Sequence, residues 1–334
     1  MIVRPTPPGG GEDEIISDRP RHLALVGPPA VGKSSLAMGL ARARGGVELV
    51  SVDSMAVYRG MDVGTAKPTW AERAEIPCHL IDLVDPGERF TLTRFAAAAA
   101  GALTAIEERG NTAVVVGGTG LYLQAVLGDL RPPAEYPHVR AELEAAVTAH
   151  PGGEAAGARE LHGRLADLDP AAARRMEPAN TRRVLRALEV TIGAGRPFSS
   201  FGPGVGAYEA RAGFSLVGVW LPRAVVAERV ARRVPDMVGA GLVEEVRALA
   251  RRPGGLGRTA RQALGYKEVL DHVEHGAALD ECLEQTVRRT RRLARRQRSW
   301  FRRDTRIRWH GTALDPQRLL PGLVVELDRC GPPS

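Results

Sequence analysis

The octet Gly27-Pro28-Pro29-Ala30-Val31-Gly32-Lys33-Ser34 fits the pattern G-x-x-x-x-G-K-[ST], and these residue types at this spacing suit a polyphosphate. Gly27 and Gly32 let the backbone curl until several N–H groups converge on phosphate oxygens. Lys33 adds a mobile positive charge, and Ser34 adds a hydroxyl suited to ligating Mg²⁺. The pattern specifies phosphate without specifying a nucleoside triphosphate. A carboxylate follows at Asp53, where an apolar run breaks into a glycine-containing loop, VDSMAVYRGMDVGTAKP at 52–68. An Asp in that position can cap a helix, steady the water around a Mg²⁺, or act as a general base. Thr65 and Lys67 share the loop without a distinct signal of their own. In GGTGLY at 117–122, Gly117 and Gly118 permit close approach of a ligand. Thr119 either offers its hydroxyl to the phosphates or caps the next helix, and both roles can hold together.

Such groups need rigid carriers that end at one edge. HLALV at 22–26 is a short apolar run that stops at Gly27, and Leu36 and Leu40 give helical spacing from Ser34 to about Arg44. Apolar runs recur at 47–53, around 79–84 and at 112–118, with an Ala-rich helix near 93–108. Strands alternating with helices predict a parallel sheet, and ligands bind such a sheet beyond the strands' C-terminal ends. From about Arg131 the pattern becomes helical and rich in Ala, Arg and Glu, until FSLVGVWL at 214–221 resumes the strand style. The expected fold class is α/β, a P-loop NTPase-like parallel sheet flanked by helices with a helical insertion domain. On this reading 21–130 and 204–315 form the core, 131–203 the insertion, 1–20 a loose N-terminal tail and 316–334 a C-terminal tail.

Composition narrows the partners. The 334 residues carry 46 Lys+Arg against 39 Asp+Glu, a net charge of +7 that suits a polyanion. Aromatics make up only 4%, so the core must rely on Ala, Val and Leu. Cys78, Cys282 and Cys330 are scattered, which supports neither a disulfide framework nor a zinc site and fits a reducing cytoplasm. The opening residues lack the apolar segment of a signal peptide. No stretch approaches the ~18 apolar residues of a membrane span, so no membrane association is expected.

Taken together, GPPAVGKS, VDSMAVYRGMDVGTAKP, IPCHLIDLVDP, GGTGLYL, LHGRLADLDPAAARRMEPANTRRVLRALEV, QALGYKE and RRQRSWFRR resemble the tRNA dimethylallyltransferase (tRNA isopentenyltransferase) family of bacterial type, in order and approximate spacing. The resemblance spans about Leu23 to His310. It implies that the phosphate loop, Gly27 to Ser34, holds the diphosphate of dimethylallyl diphosphate with Mg²⁺ at Ser34. Lys33, Thr119 and Arg233 would grip that diphosphate, and Asp53 would take a proton from an adenine amine in the tRNA anticodon stem-loop. For tRNA it implies Asp53, Ser54, Met55, Ala56, Thr119, Arg140, Arg182, Arg183, Arg186, Gln262, Gly265, Tyr266 and Lys267. It implies no obligate protein partner. By residue pattern alone, Arg182–Arg186 reads equally as a solvated helix face, and Trp300 and Phe301 read as core. The chain departs from the family at Pro29, where Thr is usual, and at Asn180, where Asp is usual. These changes bear on donor binding and on the holding of an arginine. A P-loop kinase of a small metabolite, a non-catalytic RNA-binding protein and a prenyltransferase for free adenine nucleotides are the competing readings. The long Arg-rich insertion and basic C-terminal helices speak against the kinase, the insertion speaks against free nucleotides, and intact Lys33, Ser34 and Asp53 speak against a non-catalytic RNA-binding protein.

Overall fold

The computed structural model describes residues 20–128, 130, 132–202 and 213–331. The expected N-terminal tail lies outside these residues apart from Pro20, whose carbonyl accepts from the Gly331 N–H at 3.2 Å. The chain runs β1 (His22–Val26), α1 (Lys33–Ala43), β2 (Val47–Val52), α2 (Trp70–Glu75), β3 (Cys78–His79), α3 (Leu92–Glu108), β4 (Thr112–Gly117) and α4 (Gly120–Val126). Helices α5 (Pro137–Thr148), α6 (Glu154–Leu168), α7 (Pro170–Ala173) and α8 (Thr181–Ala194) follow. The chain then returns through β5 (Phe214–Trp220), α9 (Arg223–Gly239), α10 (Leu242–Ala250), α11 (Tyr266–His275), α12 (Leu279–Phe301), β6 (Arg308–Gly311) and α13 (Leu320–Asp328).

The strands form one sheet in the order β3-β2-β4-β1-β5-β6, with every pairing parallel. Strand β1 is central, and all five of its residues are buried, as a strand covered on both faces requires. Successive residues serve opposite faces. Ala24 and Val26 pack with Phe95, Ile106, Leu123, Val269 and Phe301. Leu23 and Leu25 pack with Leu36 and Leu40 of α1, Val230 of α9 and Leu323 of α13. Residues from α5 to α8 build a separate cluster around Leu143, Leu165, Val184 and Leu188, so the insertion holds itself together. Among the described residues no helix is long and apolar enough to cross a membrane.

Two expectations are corrected. The run at 79–84 is mostly loop: beyond β3 only Val84 makes a bridge, to Tyr58, because Leu80 (φ 62°) and Asp82 (φ 55°) turn the backbone out of the extended region. Residues 316–328, expected as tail, form a 3₁₀ turn and helix α13 laid against α1. Pro321 does not prevent this, since it sits in the first turn, where its missing N–H costs no hydrogen bond. The outcome is a brace. Pro316 covers Gly32 so closely that a Cβ there would lie 2.6 Å from the proline ring, and Gln317 Nε2 donates to Ser35 Oγ at 2.5 Å. Further along, Arg44 pairs with Asp328 through two bonds of 2.6 and 2.7 Å.

Candidate active site

Helix α1 begins at Gly32, which has φ 87°, and no side chain caps it. Its first N–H groups therefore face outward at the positive end of the helix, the arrangement that suits an anion. Lys33 Nζ donates to the Pro28 carbonyl at 2.6 Å, and Arg229 Nε donates to the Ala30 carbonyl at 2.7 Å, fixing the loop from both ends. Burial, reinforced by the nearby charge of Arg233 and only partly offset by Asp53, lowers the Lys33 pKa to about 7. Burial also lowers that of Arg233, again against the pull of Asp53. Two desolvated cations thus share one carboxylate, a site short of negative charge.

Asp53 follows the last residue of β2, and its Oδ1 accepts from the Met55 N–H at 2.8 Å. That bond turns the chain sharply into the loop. Thr119 stands at the start of α4 without capping it; its hydroxyl instead accepts from the Ser54 N–H at 3.3 Å. The ends of β2 and β4 are thereby tied together.

These elements enclose a cavity of about 470 Å³. Pro29, Ala30, Asp53, Thr119 and Arg233 line it, with Ser54 and Met55 at the loop and Gly265 and Tyr266 on the opposite wall. Val234, Met237 and Leu293 give it an apolar side. Ser34 is exposed at the first turn of α1. Among the described residues no group of three or more His, Cys, Asp or Glu could hold a metal, so a cation here would depend on that hydroxyl and on phosphate oxygens.

The candidate nucleic-acid residues divide. Ala56 and Tyr266 are buried, at 5% and 0% exposure, and the Tyr266 hydroxyl donates to Glu245 at 2.6 Å. Gln262 is exposed and Lys267 is half-buried at the start of α11. Arg140 pairs with Glu144 at 2.7 Å and lies 3.6 Å from Glu189. Arg186 donates to Glu189 at 2.6 Å and to the Pro133 carbonyl at 2.7 Å, so both arginines are committed within the insertion. Arg182 and Arg183 are exposed in the first turn of α8. Asn180 caps that helix, accepting from the Arg183 N–H at 3.4 Å, the bond an Asp would also make.

Sequence reasoning missed the contribution of α12. Phe301 is core and Trp300 packs against the same core, while Trp300 and Gln297 also line the cavity, a role the residue pattern did not show. Gly118 and Gly120 make room for them: a Cβ at Gly118 would lie 2.5 Å from Gln297, and one at Gly120 would overlap the Trp300 indole. The available signal is this pair of glycines, whose bareness serves helix packing as well as ligand approach.

A profile of the IPP transferase family matches residues 56–304. A tRNA dimethylallyltransferase of Streptomyces coelicolor is 43% identical over 308 residues, covering 92% of this chain and 96% of that protein. One from Mycobacterium tuberculosis is 44% identical over 306 residues, covering 89% and 95%. Among solved structures, the tRNA isopentenylpyrophosphate transferase of Bacillus halodurans superposes with a TM-score of 0.64 at 36% identity, covering 92% of this chain and 95% of that one. A eukaryotic dimethylallyltransferase acting on tRNA gives a TM-score of 0.71 at 26% identity, covering 90% and 75%. A parallel sheet with a cation-rich phosphate loop, and likeness along most of the chain to these proteins, place this chain in the IPP transferase family.

Proposed function

We propose that this chain transfers a dimethylallyl group from dimethylallyl diphosphate to N6 of the adenosine 3′-adjacent to the anticodon in tRNA, releasing diphosphate. The observation that carries this reading is the charge arrangement at the cavity and its phosphate loop: the half-buried, partly desolvated Lys33 and Arg233 stand beside a single carboxylate, Asp53. An exocyclic adenine amine is a weak nucleophile, whereas an allylic diphosphate ionises readily once its leaving group is neutralised. Cations around the diphosphate and one base at the amine are therefore what the reaction asks of a protein.

In this reading the phosphate loop and the start of α1 receive the diphosphate, with Lys33, Arg233 and the Thr119 hydroxyl around it. The apolar side at Val234, Met237 and Leu293 receives the prenyl chain and keeps water from the allylic carbon. The amine nitrogen attacks C1 of the donor, the C1–O bond breaks with its electron pair leaving on diphosphate, and the amine proton passes to Asp53. Mg²⁺ held by Ser34 and the phosphate oxygens would supply further neutralisation of the leaving group.

The acceptor must leave its stack to reach Asp53, as bases do in other base-modifying enzymes. Ser54, Met55 and the Gly265–Tyr266 wall form the entrance. Arg182 and Arg183 lie at the positive end of α8, where cations are disfavoured, and an RNA phosphate would relieve that repulsion. Such an enzyme belongs with its tRNA, in the cytoplasm. Incubation with dimethylallyl diphosphate, Mg²⁺ and unmodified tRNA, followed by digestion and mass spectrometry, should yield prenyl-adenosine from the anticodon loop. ATP hydrolysis without tRNA or prenyl donor, abolished by Lys33→Ala, would instead identify a kinase-like site.

A further inference from the structure

We infer that Glu245 is a positioning residue for the transfer, fixing the loop that begins at Asp53 against the opposite wall of the cavity. The inference rests on the proposed reaction, although its geometry stands by itself. Glu245 projects from α10 into a ring of donors. Its Oε2 accepts from the Asp62 and Val63 N–H groups at 2.9 and 2.8 Å, and its Oε1 accepts from the Gly64 N–H at 3.4 Å. The Tyr266 hydroxyl completes the set with a 2.6 Å bond to Oε1. Successive backbone N–H groups aimed at one point form an anion nest, here filled by the protein's own carboxylate. Hydrogen bonds to an ionised acceptor are roughly twice as strong as neutral ones.

The loop is internally stiff. Lys67 Nζ, wholly buried, donates to the Tyr58 carbonyl, Asp62 and Asp82 at 2.6, 2.7 and 2.6 Å. Thr65 Oγ1 donates to the Met61 carbonyl at 2.6 Å. Residues 58–67 therefore move as one piece, and Glu245 is their polar attachment to α10 and α11. Both sides of that attachment face the cavity: Gly64 and Thr65 from the loop, Gly265 and Tyr266 from α11. Gly64 has no room for a Cβ against the Tyr266 ring, so the two walls meet as closely as backbone and aromatic ring allow. Losing the carboxylate leaves the loop folded but lets it shift relative to α11, which changes where the acceptor sits relative to Asp53. The diphosphate side, built from α1 and α9, is untouched.

The test is single-turnover prenylation at saturating donor and tRNA, scaled to folded protein. Glu245→Ala should slow the step by about 10–10²-fold, the loss that a displacement near 1 Å produces, with donor affinity unchanged. Glu245→Gln keeps an oxygen for Asp62 and Val63 and an amide for Tyr266, so it should recover most of that rate. Tyr266→Phe should cost several-fold, and Glu245→Ala/Tyr266→Phe should be no slower than Glu245→Ala, because both act through one network. A merely structural Glu245 would lower Tm and leave the rate of the folded fraction unchanged; that result, or additive losses in the double variant, overturns the inference. Should the Ala variant not fold, Glu245→Gln and Tyr266→Phe decide: coupled several-fold losses support it, and rates within twofold of the parent refute it. Absence of prenyl-adenosine from the parent protein would instead refute the proposed reaction, with exchange of the 62–64 amides still reporting whether Glu245 holds the loop.

Discussion

In the α/β core, Lys33 of the phosphate loop and Arg233 at the cavity are half-buried and partly desolvated, with Asp53 the carboxylate that faces them. In the helical insertion, Arg140 and Arg186 converge on the buried Glu189, while Arg182 and Arg183 stand in solvent. Desolvated cations without matching carboxylates raise the free energy of the empty site and lower it when an anion arrives. Solvated cations act through counterion release, in proportion to the phosphates they meet. The arginines around Glu189 are instead paired within the insertion, with Glu144 and Glu189 answering their charge. Position in the fold, more than residue type, separates chemistry, docking and architecture.

The contrast is broken most severely by removing the one carboxylate that lines the cavity. Asp53→Asn keeps the shape and should reduce kcat by about 10²–10⁴-fold, the range for a positioned general base, while tRNA affinity changes little. Near-normal turnover in this variant, measured with saturating substrates, removes Asp53 from the base role.

A smaller effect follows from Lys33. Its free-state pKa of about 7 means that the charged form is lost as pH rises through neutrality. A bound diphosphate raises that pKa, so donor binding takes up a proton above pH 7. Affinity should then fall with rising pH, by at most about tenfold per unit for one linked proton, until the pKa of the complex is reached. Calorimetry in buffers of different ionisation enthalpy measures the uptake directly, and affinity that holds constant from pH 6.5 to 8.5 contradicts it.

The smallest effects distinguish the two pairs in the insertion. Arg182→Ala with Arg183→Ala should raise KM for tRNA and flatten its salt dependence, by roughly 0.7–0.9 in slope for each RNA phosphate that is no longer neutralised. Arg186→Ala should leave the slope unchanged and lower Tm, since the buried Glu189 keeps its bond from the Tyr136 N–H but loses a charge-assisted one worth about 1.5–3 kcal/mol. Equal salt slopes for the two sets would erase the distinction between docking and architecture.

How far the sequence could be read depended on range. The strand, Gly-rich turn and helix from His22 to Ala43 follow from local pattern, because the apolar run, the glycines and the helical spacing are short-range signals even though β1 itself pairs with the distant β4 and β5. Asp53 and Thr119 were legible for a related reason: strand ends in a parallel sheet share an edge. Trp300 was not, since its role depends on the room left by Gly120, 180 residues earlier in the chain. Tyr266 and Arg186 belonged to motifs, but a motif does not tell whether a side chain faces a ligand or another side chain. Glu245 carried no signal at all, because its partners are three backbone groups and a tyrosine hydroxyl that no spacing links to it. Helix α13 was hidden by Pro316, Pro321 and Gly322, which read as punctuation unless their places in the turns are known.

The brace on the phosphate loop has a consequence in the order of synthesis. Asp328, which pairs with Arg44, follows it by 284 positions. At ribosomal speeds of about 5–20 residues per second, α13 emerges roughly 15–60 s after the helix it must cover. Through that interval the nascent chain can assemble its sheet, yet the back of Gly32 and the outer face of α1 stay bare. The first motif of the chain to be made is thus among the last to be completed, and a ribosome that stops short of Pro316 leaves it unsupported.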